Sequence, residues 1–292
     1  MNGFLNIIKP PDMTSSDVVV KVRRRLRELS GKKDITVGHL GTLDPAAEGV
    51  LVIAVGAAAK LFDFFIGKKK LYRAEFVFGQ TTDTLDRDGE ITEWGGSIPL
   101  LSQLQEAARR LTGEIMQIPP SYSAKSVDGV RAYERMRRGE NVELPPKRVT
   151  VNRIEIISYD APKAIITVDC LGGVYIRSIA RDMADICGTY AYMSALTRLS
   201  AGAFEIKDGI SLEDFLAADD INLLPVEYPL GDFTRFDVDA RFLEKLKNGV
   251  RLRPDGMPEG DFVVRCGGAL FGIGSKNSDG ELVVSVRLIG RE

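Results

Sequence analysis

Gly38-His39-Leu40-Gly41-Thr42-Leu43-Asp44-Pro45-Ala46-Ala47-Glu48-Gly49 sets three glycines around one histidine and one aspartate, and the apolar run Val50 to Val55 follows at once. That run has the length of a buried strand. Asp44-Pro45-Ala46-Ala47 reads as a helix start, with Asp as N-cap and Pro at the first helical position. The glycines carry a second reading, because they let a ligand approach the backbone closely. His39 is the single histidine of the chain. His-rich zinc sites are therefore excluded, and any Ser-His-Asp scheme depends on this one residue.

Outward from this stretch the periodicities alternate. Thr14-Ser15-Ser16-Asp17 has capping-box spacing, and Val18, Val19, Val22, Leu26 and Leu29 follow at helical intervals, so a helix should end near Gly31. Leu71 to Phe78 puts Tyr72, Ala74, Phe76 and Phe78 on one face of a strand. Ser102 to Thr112 reads as a helix stopped by Gly113, and residues 129–138 as another. Residues 149–157 and 164–171 suggest a strand pair. Ile176 to Cys187 is helical, with Ile176, Ile179, Met183 and Ile186 inward and Gly188 as its cap. From about residue 232 short strand-like pieces broken by glycines suggest a small β-rich unit of roughly 60 residues.

The chain has 292 residues, which suggests about two domains. It is 44% hydrophobic and 27% charged, an ordinary globular mix. With 39 basic and 41 acidic residues the net charge is −2, which excludes a wholly basic nucleic-acid coat. The charge is unevenly spread, however. Segment 21–33 holds seven bases and one acid, 60–73 five and one, and 131–148 six and three, whereas 205–239 holds ten acids and two bases. Such a chain can present one basic face to a polyanion, although solvated helix faces explain the same runs. Cys170, Cys187 and Cys266 form no C-x-x-C pair, which points to a reducing compartment. The longest apolar run, Val50 to Ala59, falls short of the ~20 residues of a spanning helix, and the N-terminus has no apolar signal core. A soluble, cytoplasmic protein without membrane contact is expected.

Several polar clusters stand out. Asp83-Thr84-Leu85-Asp86-Arg87-Asp88-Gly89-Glu90 fails the calcium-loop pattern, so Asp88-Gly89 reads as a turn between strands. Paired carboxylates for hydrolysis remain open. Arg177 sits at the start of a helix, where the dipole disfavours a cation, and so calls for an acidic partner. Pro119 to Lys125 interleaves aromatic and basic residues in the manner of an RNA-contacting loop. Neither a P-loop nor a dinucleotide-binding glycine pattern is present.

Together these stretches resemble the bacterial TruB-type tRNA pseudouridine(55) synthase family. Gly38 to Pro45 is similar to its catalytic signature, Lys9-Pro10-Pro11-Asp12-Met13-Thr14-Ser15 to its N-terminal motif, and Lys70-Leu71-Tyr72 with Gly79 to Asp86 to its central one. Pro119 to Gly139 resembles its RNA-gripping insertion, about 121–148, and Gly173 to Arg181 its arginine motif. Asp12 stands where that family usually has Gly, and Asp tolerates left-handed backbone. Glu48 replaces a small residue, Val174 a Thr, and Leu196-Thr197-Arg198 lacks the first Arg of a Leu-Arg-Arg run.

The resemblance implies an α+β fold: a mixed, largely antiparallel sheet flanked by helices over residues 1–231, then a PUA-like RNA-binding module over 232–292. It implies isomerisation of uridine 55 in the tRNA T-loop, with base flipping and without a cofactor. It also implies roles: Asp44 as nucleophile, Arg177 as its ionic partner, Tyr72 as stacking partner and base. Asp86 would hold Arg177 or Tyr72, and His39 would fill the space the flipped nucleotide leaves. Tyr175 and Leu196 would pack on the base, and Lys9, Lys60 and segment 121–148 would meet RNA backbone of the T-arm. No obligate protein partner is implied. Three other readings use the same residues: a non-catalytic RNA-binding or tRNA-folding protein, a guide-RNA-directed pseudouridine synthase, and a hydrolase built on Asp44 and Asp86.

Overall fold

The computed structural model describes residues 1–122 and 144–288, with the backbone alone of 126–127 and 130–131. Of the helix expected over 129–138 only residues 130–131 are described, and there the expectation is corrected: they pair with 126–127 as a short antiparallel strand, and the rest lies outside the described residues. In chain order the first elements are β1 (Gly3–Lys9), α1 (Ser15–Ser30), β2 (Val37–His39), β3 (Glu48–Val55) and α2 (Phe62–Ile66). Then come β4 (Lys70–Phe78), β5 (Gln80–Thr82), β6 (Ile91–Trp94), α3 (Leu101–Arg110) and β7 (Gly113–Gln117). β8 (Ser126–Val127) and β9 (Val130–Arg131) precede β10 (Lys147–Asp160), β11 (Lys163–Cys170), α4 (Ile176–Cys187) and β12 (Ala191–Ala201). Beyond them lie β13 (Phe204–Glu205), β14 (Ile210–Ser211) and α5 (Leu212–Ala217). The last are β15 (Arg235–Val238), α6 (Leu243–Lys247), β16 (Asp261–Cys266), β17 (Ala269–Lys276) and β18 (Leu282–Arg287).

The large sheet runs β14-β1-β3-β12-β4-β11-β10-β7, with β2 on β3 and β13 on β12. Its neighbours are antiparallel except β1 with β14 and β3 with β12. The mixed, mostly antiparallel α+β architecture agrees with the expectation. A separate four-stranded sheet, β15-β16-β17-β18, closes the described chain.

Local sequence explains the helices. Thr14 caps α1 in a capping box with Asp17, and Gly31 ends it at φ 67°. Gly188 ends α4 in the same left-handed way, at φ 70°. The reading of Asp44-Pro45-Ala46-Ala47 as a helix start is corrected: the Ala47 N–H bonds the Asp44 carbonyl in a tight turn, and β3 begins at Glu48. An N-cap pattern and a Pro-containing turn share the same residues, and only the strand that follows separates them.

β3 is buried on both faces. Leu51, Ile53 and Val55 enter a core shared with α1, α3 and α4, while Val50, Val52 and Ala54 enter a second core with Phe4, Phe65 and Phe204. Two-sided burial is why the strand reads as an unbroken apolar run. The second core also takes Val263, Ile273 and Leu288, so the C-terminal sheet packs directly on the back of the large one. No described helix is long and apolar enough to cross a membrane.

Candidate active site

The loop from Gly41 to Asp44 connects β2 to β3, and four anchors hold it. Ser15, in the first turn of α1, donates its hydroxyl to the Leu43 carbonyl and accepts the Leu43 N–H, both at 2.9 Å. Arg198, on β12 and only 1% exposed, donates to the carbonyls of Val50 (2.7 Å), Thr42 (3.3 Å) and Gly41 (3.0 Å). Lys9, at the end of β1, donates to the carbonyls of Pro10, Met13 and Pro45. Arg177, at the start of α4, holds Asp44 itself.

Arg177 Nε lies 3.0 Å from Asp44 Oδ2, and its Nη1 lies 3.1 Å from Asp86 Oδ2. The same guanidinium donates to the carbonyls of Thr84 and Tyr122, each at 3.0 Å. The Arg177 and Asp86 side chains are 7% and 8% exposed, but Asp44 is 34% exposed. One carboxylate is thus sealed behind the arginine and the other faces outward. Asp86 Oδ1 accepts the Thr84 hydroxyl (2.5 Å) and the Asp88 N–H (3.1 Å), so this buried carboxylate is fully engaged. The two carboxylates come from different loops, and Arg177 bridges them.

In front of Asp44 lies a cavity of about 230 Å³. Tyr72, Leu196, Ile176, Tyr175, Lys70 and Phe62 supply its walls, with Arg177 and Arg198 at its back. Burial pushes the Tyr72 phenol above its usual range, against the pull of the Arg198 guanidinium bonded to it. Burial, followed by the charge of Arg198, lowers the Lys70 ammonium to about 8. Tyr175 is fixed through its backbone: its N–H bonds Gln117 Oε1 (2.8 Å), and Gln117 Nε2 donates to its carbonyl (3.2 Å).

Of the residues singled out in the sequence, Asp44, Tyr72, Arg177, Tyr175 and Leu196 line this one cavity. Asp86 stands behind Arg177. His39 ends β2 outside the cavity lining. Lys60 is exposed, and its ammonium donates to the Arg287 carbonyl on β18 at 3.0 Å. The expectation that Lys9 meets RNA backbone is corrected. It is fully buried, three carbonyls satisfy its ammonium, and burial lowers its pKa to about 8. The ligand-approach reading of the glycines is corrected at Gly49: a Cβ there would lie 2.4 Å from the Arg198 carbonyl oxygen, so strand β12 is what approaches. Asp12 does adopt left-handed backbone, φ 59°.

Two site residues stand in the motifs quoted from the sequence without a role assigned to them there. Arg198 and Lys70 are cations that the fold buries, whereas a sequence offers cations as surface by default.

Comparison with known proteins follows the same lines. Over 99% of its length the fold is similar to a chain, 85% of it covered, in the crystal structure of a Cbf5-Nop10-Gar1 complex (TM-score 0.73, 21% identity). It is equally similar to one in an H/ACA RNP bound to a substrate RNA containing 2′-deoxyuridine, of which 86% is covered (TM-score 0.72, 21% identity, 99% of this chain). Residues 27–176 match the family model described as TruB family pseudouridylate synthase (N terminal domain), which sets the class as pseudouridine synthases, isomerases acting on RNA. tRNA pseudouridine synthase B of Caldanaerobacter subterraneus subsp. tengcongensis is 41% identical over 256 residues, 87% of each chain. That of Clostridium tetani is 36% identical over 294 residues, 98% of this chain and 99% of its own. The chain belongs to the TruB family of tRNA pseudouridine synthases.

Proposed function

We propose that this chain converts uridine 55 in the T-loop of tRNA to pseudouridine, with Asp44 as the nucleophile on a flipped-out nucleotide. One observation carries the reading: a half-open carboxylate, oriented by a buried arginine, at the mouth of a base-sized cavity walled by Tyr72 and Leu196. The arginine orients the carboxylate through a charge-assisted contact to Oδ2. Asp44 attacks the ribose or the uracil ring, and the N1–C1′ bond breaks. The uracil, retained in the cavity, turns over; its C5 bonds to C1′, the bond to Asp44 breaks and returns the carboxylate, the C5 proton leaves, and N1 takes up a proton. Atoms and electrons are conserved, so the rearrangement calls for no redox partner.

Flipping costs a few kcal/mol, least in an already irregular loop, and closing apolar walls on the base offset it. His39 takes the place the flipped nucleotide vacates, and Lys60, with segment 121–148, meets the RNA backbone. In this reading residues 1–231 form the catalytic unit and 232–292 a PUA-like RNA-binding unit. The relatives at about 40% identity are tRNA pseudouridine synthases by name, which favours tRNA over a guide-directed substrate.

The deciding experiment uses a tRNA transcript tritiated at uracil C5. Tritium should leave wild-type reactions stoichiometrically with one uridine, without free uracil, and a transcript with cytidine at position 55 should release none. Release from that control moves the target elsewhere, and free uracil makes the protein a hydrolase.

Tyr72→Phe tests the final proton removal. With its pKa raised by burial, Tyr72 is a neutral phenol at pH 7, so its stacking surface is always present while its basicity is scarce. The phenylalanine variant should bind tRNA as wild type does and turn over roughly 10²-fold more slowly, the low end for a lost general base. An unchanged rate confines Tyr72 to stacking.

A further inference from the structure

Two loops flank the open face of Asp44. The first, Pro10–Met13, is fused to the catalytic turn: the Asp12 N–H and the Lys9 ammonium both donate to the Pro45 carbonyl, at 2.9 and 3.0 Å. The second, Asp83–Glu90, supplies Asp86. Arg177 joins the second loop to the catalytic turn through Asp86 and Asp44. A second pair joins the two flanking loops directly, Arg87 Nη2 to Asp12 Oδ1 at 2.5 Å. Asp88 Oδ1 stands 3.8 Å from Arg87 Nε. Asp12 and Arg87 are exposed, so neither is needed to complete the core.

We propose that Arg87 is a phosphate-binding residue that Asp12 holds in reserve. The inference rests on the reading that a flipped uridine enters the cavity at Asp44. The backbone on either side of that nucleotide must then cross the two flanking loops. Arg87 is the cation of the second loop, and its planar fork suits a phosphate as well as a carboxylate. In the free protein it is spent on Asp12. When RNA arrives, the guanidinium exchanges Asp12 for a phosphate oxygen. Asp12 then weakens RNA binding twice, by competing for Arg87 and by adding a negative charge where a polyanion passes. Its left-handed backbone makes the diagnostic substitution benign, because glycine is at ease at φ 59°.

The test is the tritium-release assay with the full chain and tRNA transcript, run over a salt series. Wild-type release in the same assay checks the underlying reading separately. Arg87→Ala should raise KM about three- to tenfold and flatten the slope of log KM against log salt by about one phosphate contact. Asp12→Gly should lower KM by a factor of about two to five at low salt, the range of an exposed ion pair. In the Arg87→Ala background Asp12→Gly should have a smaller effect, confined to its charge. An unaltered salt slope in Arg87→Ala overturns the proposal. So does an unmoved or raised KM in Asp12→Gly, or an Asp12→Gly effect of full size without Arg87.

Discussion

Asp44→Asn should release no tritium above background, a loss on the order of 10⁴-fold or more, while the protein still folds and still binds tRNA. The substitution keeps the shape of the side chain and its contact with Arg177 Nε, since an amide oxygen can also accept. It removes the negative charge and the nucleophilic oxygen. Losing a covalent nucleophile costs far more than losing a binding contact, because no water at the site can imitate its placement. Asp44 is the exposed member of the Asp44–Arg177–Asp86 chain, so little stability rests on it. A gel-shift titration against wild type checks binding, and the tritium assay checks turnover. Turnover within tenfold of wild type would remove Asp44 from the nucleophile role and leave the cavity needing another.

Arg177→Met should cost both activity and stability. Arg177 is the sole cation bonded to the buried Asp86 carboxylate among the described ion pairs, and it also satisfies the Thr84 and Tyr122 carbonyls. Methionine fills similar volume but leaves Asp86 as an uncompensated buried charge, a loss of about 3–5 kcal/mol. Urea titration should show the midpoint fall with the slope unchanged. Arg177→Lys separates the two roles. A lysine returns the charge but not the fork that reaches two carboxylates and two carbonyls at once. It should recover part of the stability and little of the activity. Full stability in Arg177→Met would mean that Asp86 gains its support from Thr84 and Asp88 alone.

The helices α1 and α4 were legible because their ends are written locally, in Thr14-Asp17, Gly31 and Gly188. β4 was legible because one face alternates cleanly. β12, the strand that joins the two halves of the sheet, was not. Its register slips between Met193 and Ala195 and again between Arg198 and Ser200, so no run of alternation survives. β1 was equally unread, since both its faces are buried and its last residue is Lys9. The site shows the same division. Asp44 and Arg177 stand in motifs dense enough to be noticed alone. Arg198 and Lys9 work as buried donors to backbone carbonyls, and that role exists only once distant strands have met.

The placement of β12 also sets an order in time. It lies between β3 and β4 yet is synthesised more than a hundred residues after either has begun. Until residue 201 has left the ribosome, β3 and β4 have no shared neighbour, and the Gly41–Thr42 turn lacks the arginine that pins it. A nascent chain therefore carries Asp44 long before it carries a pocket. Its apolar strands must wait, exposed, for a late partner, as in any fold whose contacts are far apart in sequence. A truncated product ending before β12 holds Asp44 without the Leu196 wall of the cavity and without the Arg198 anchor of its turn.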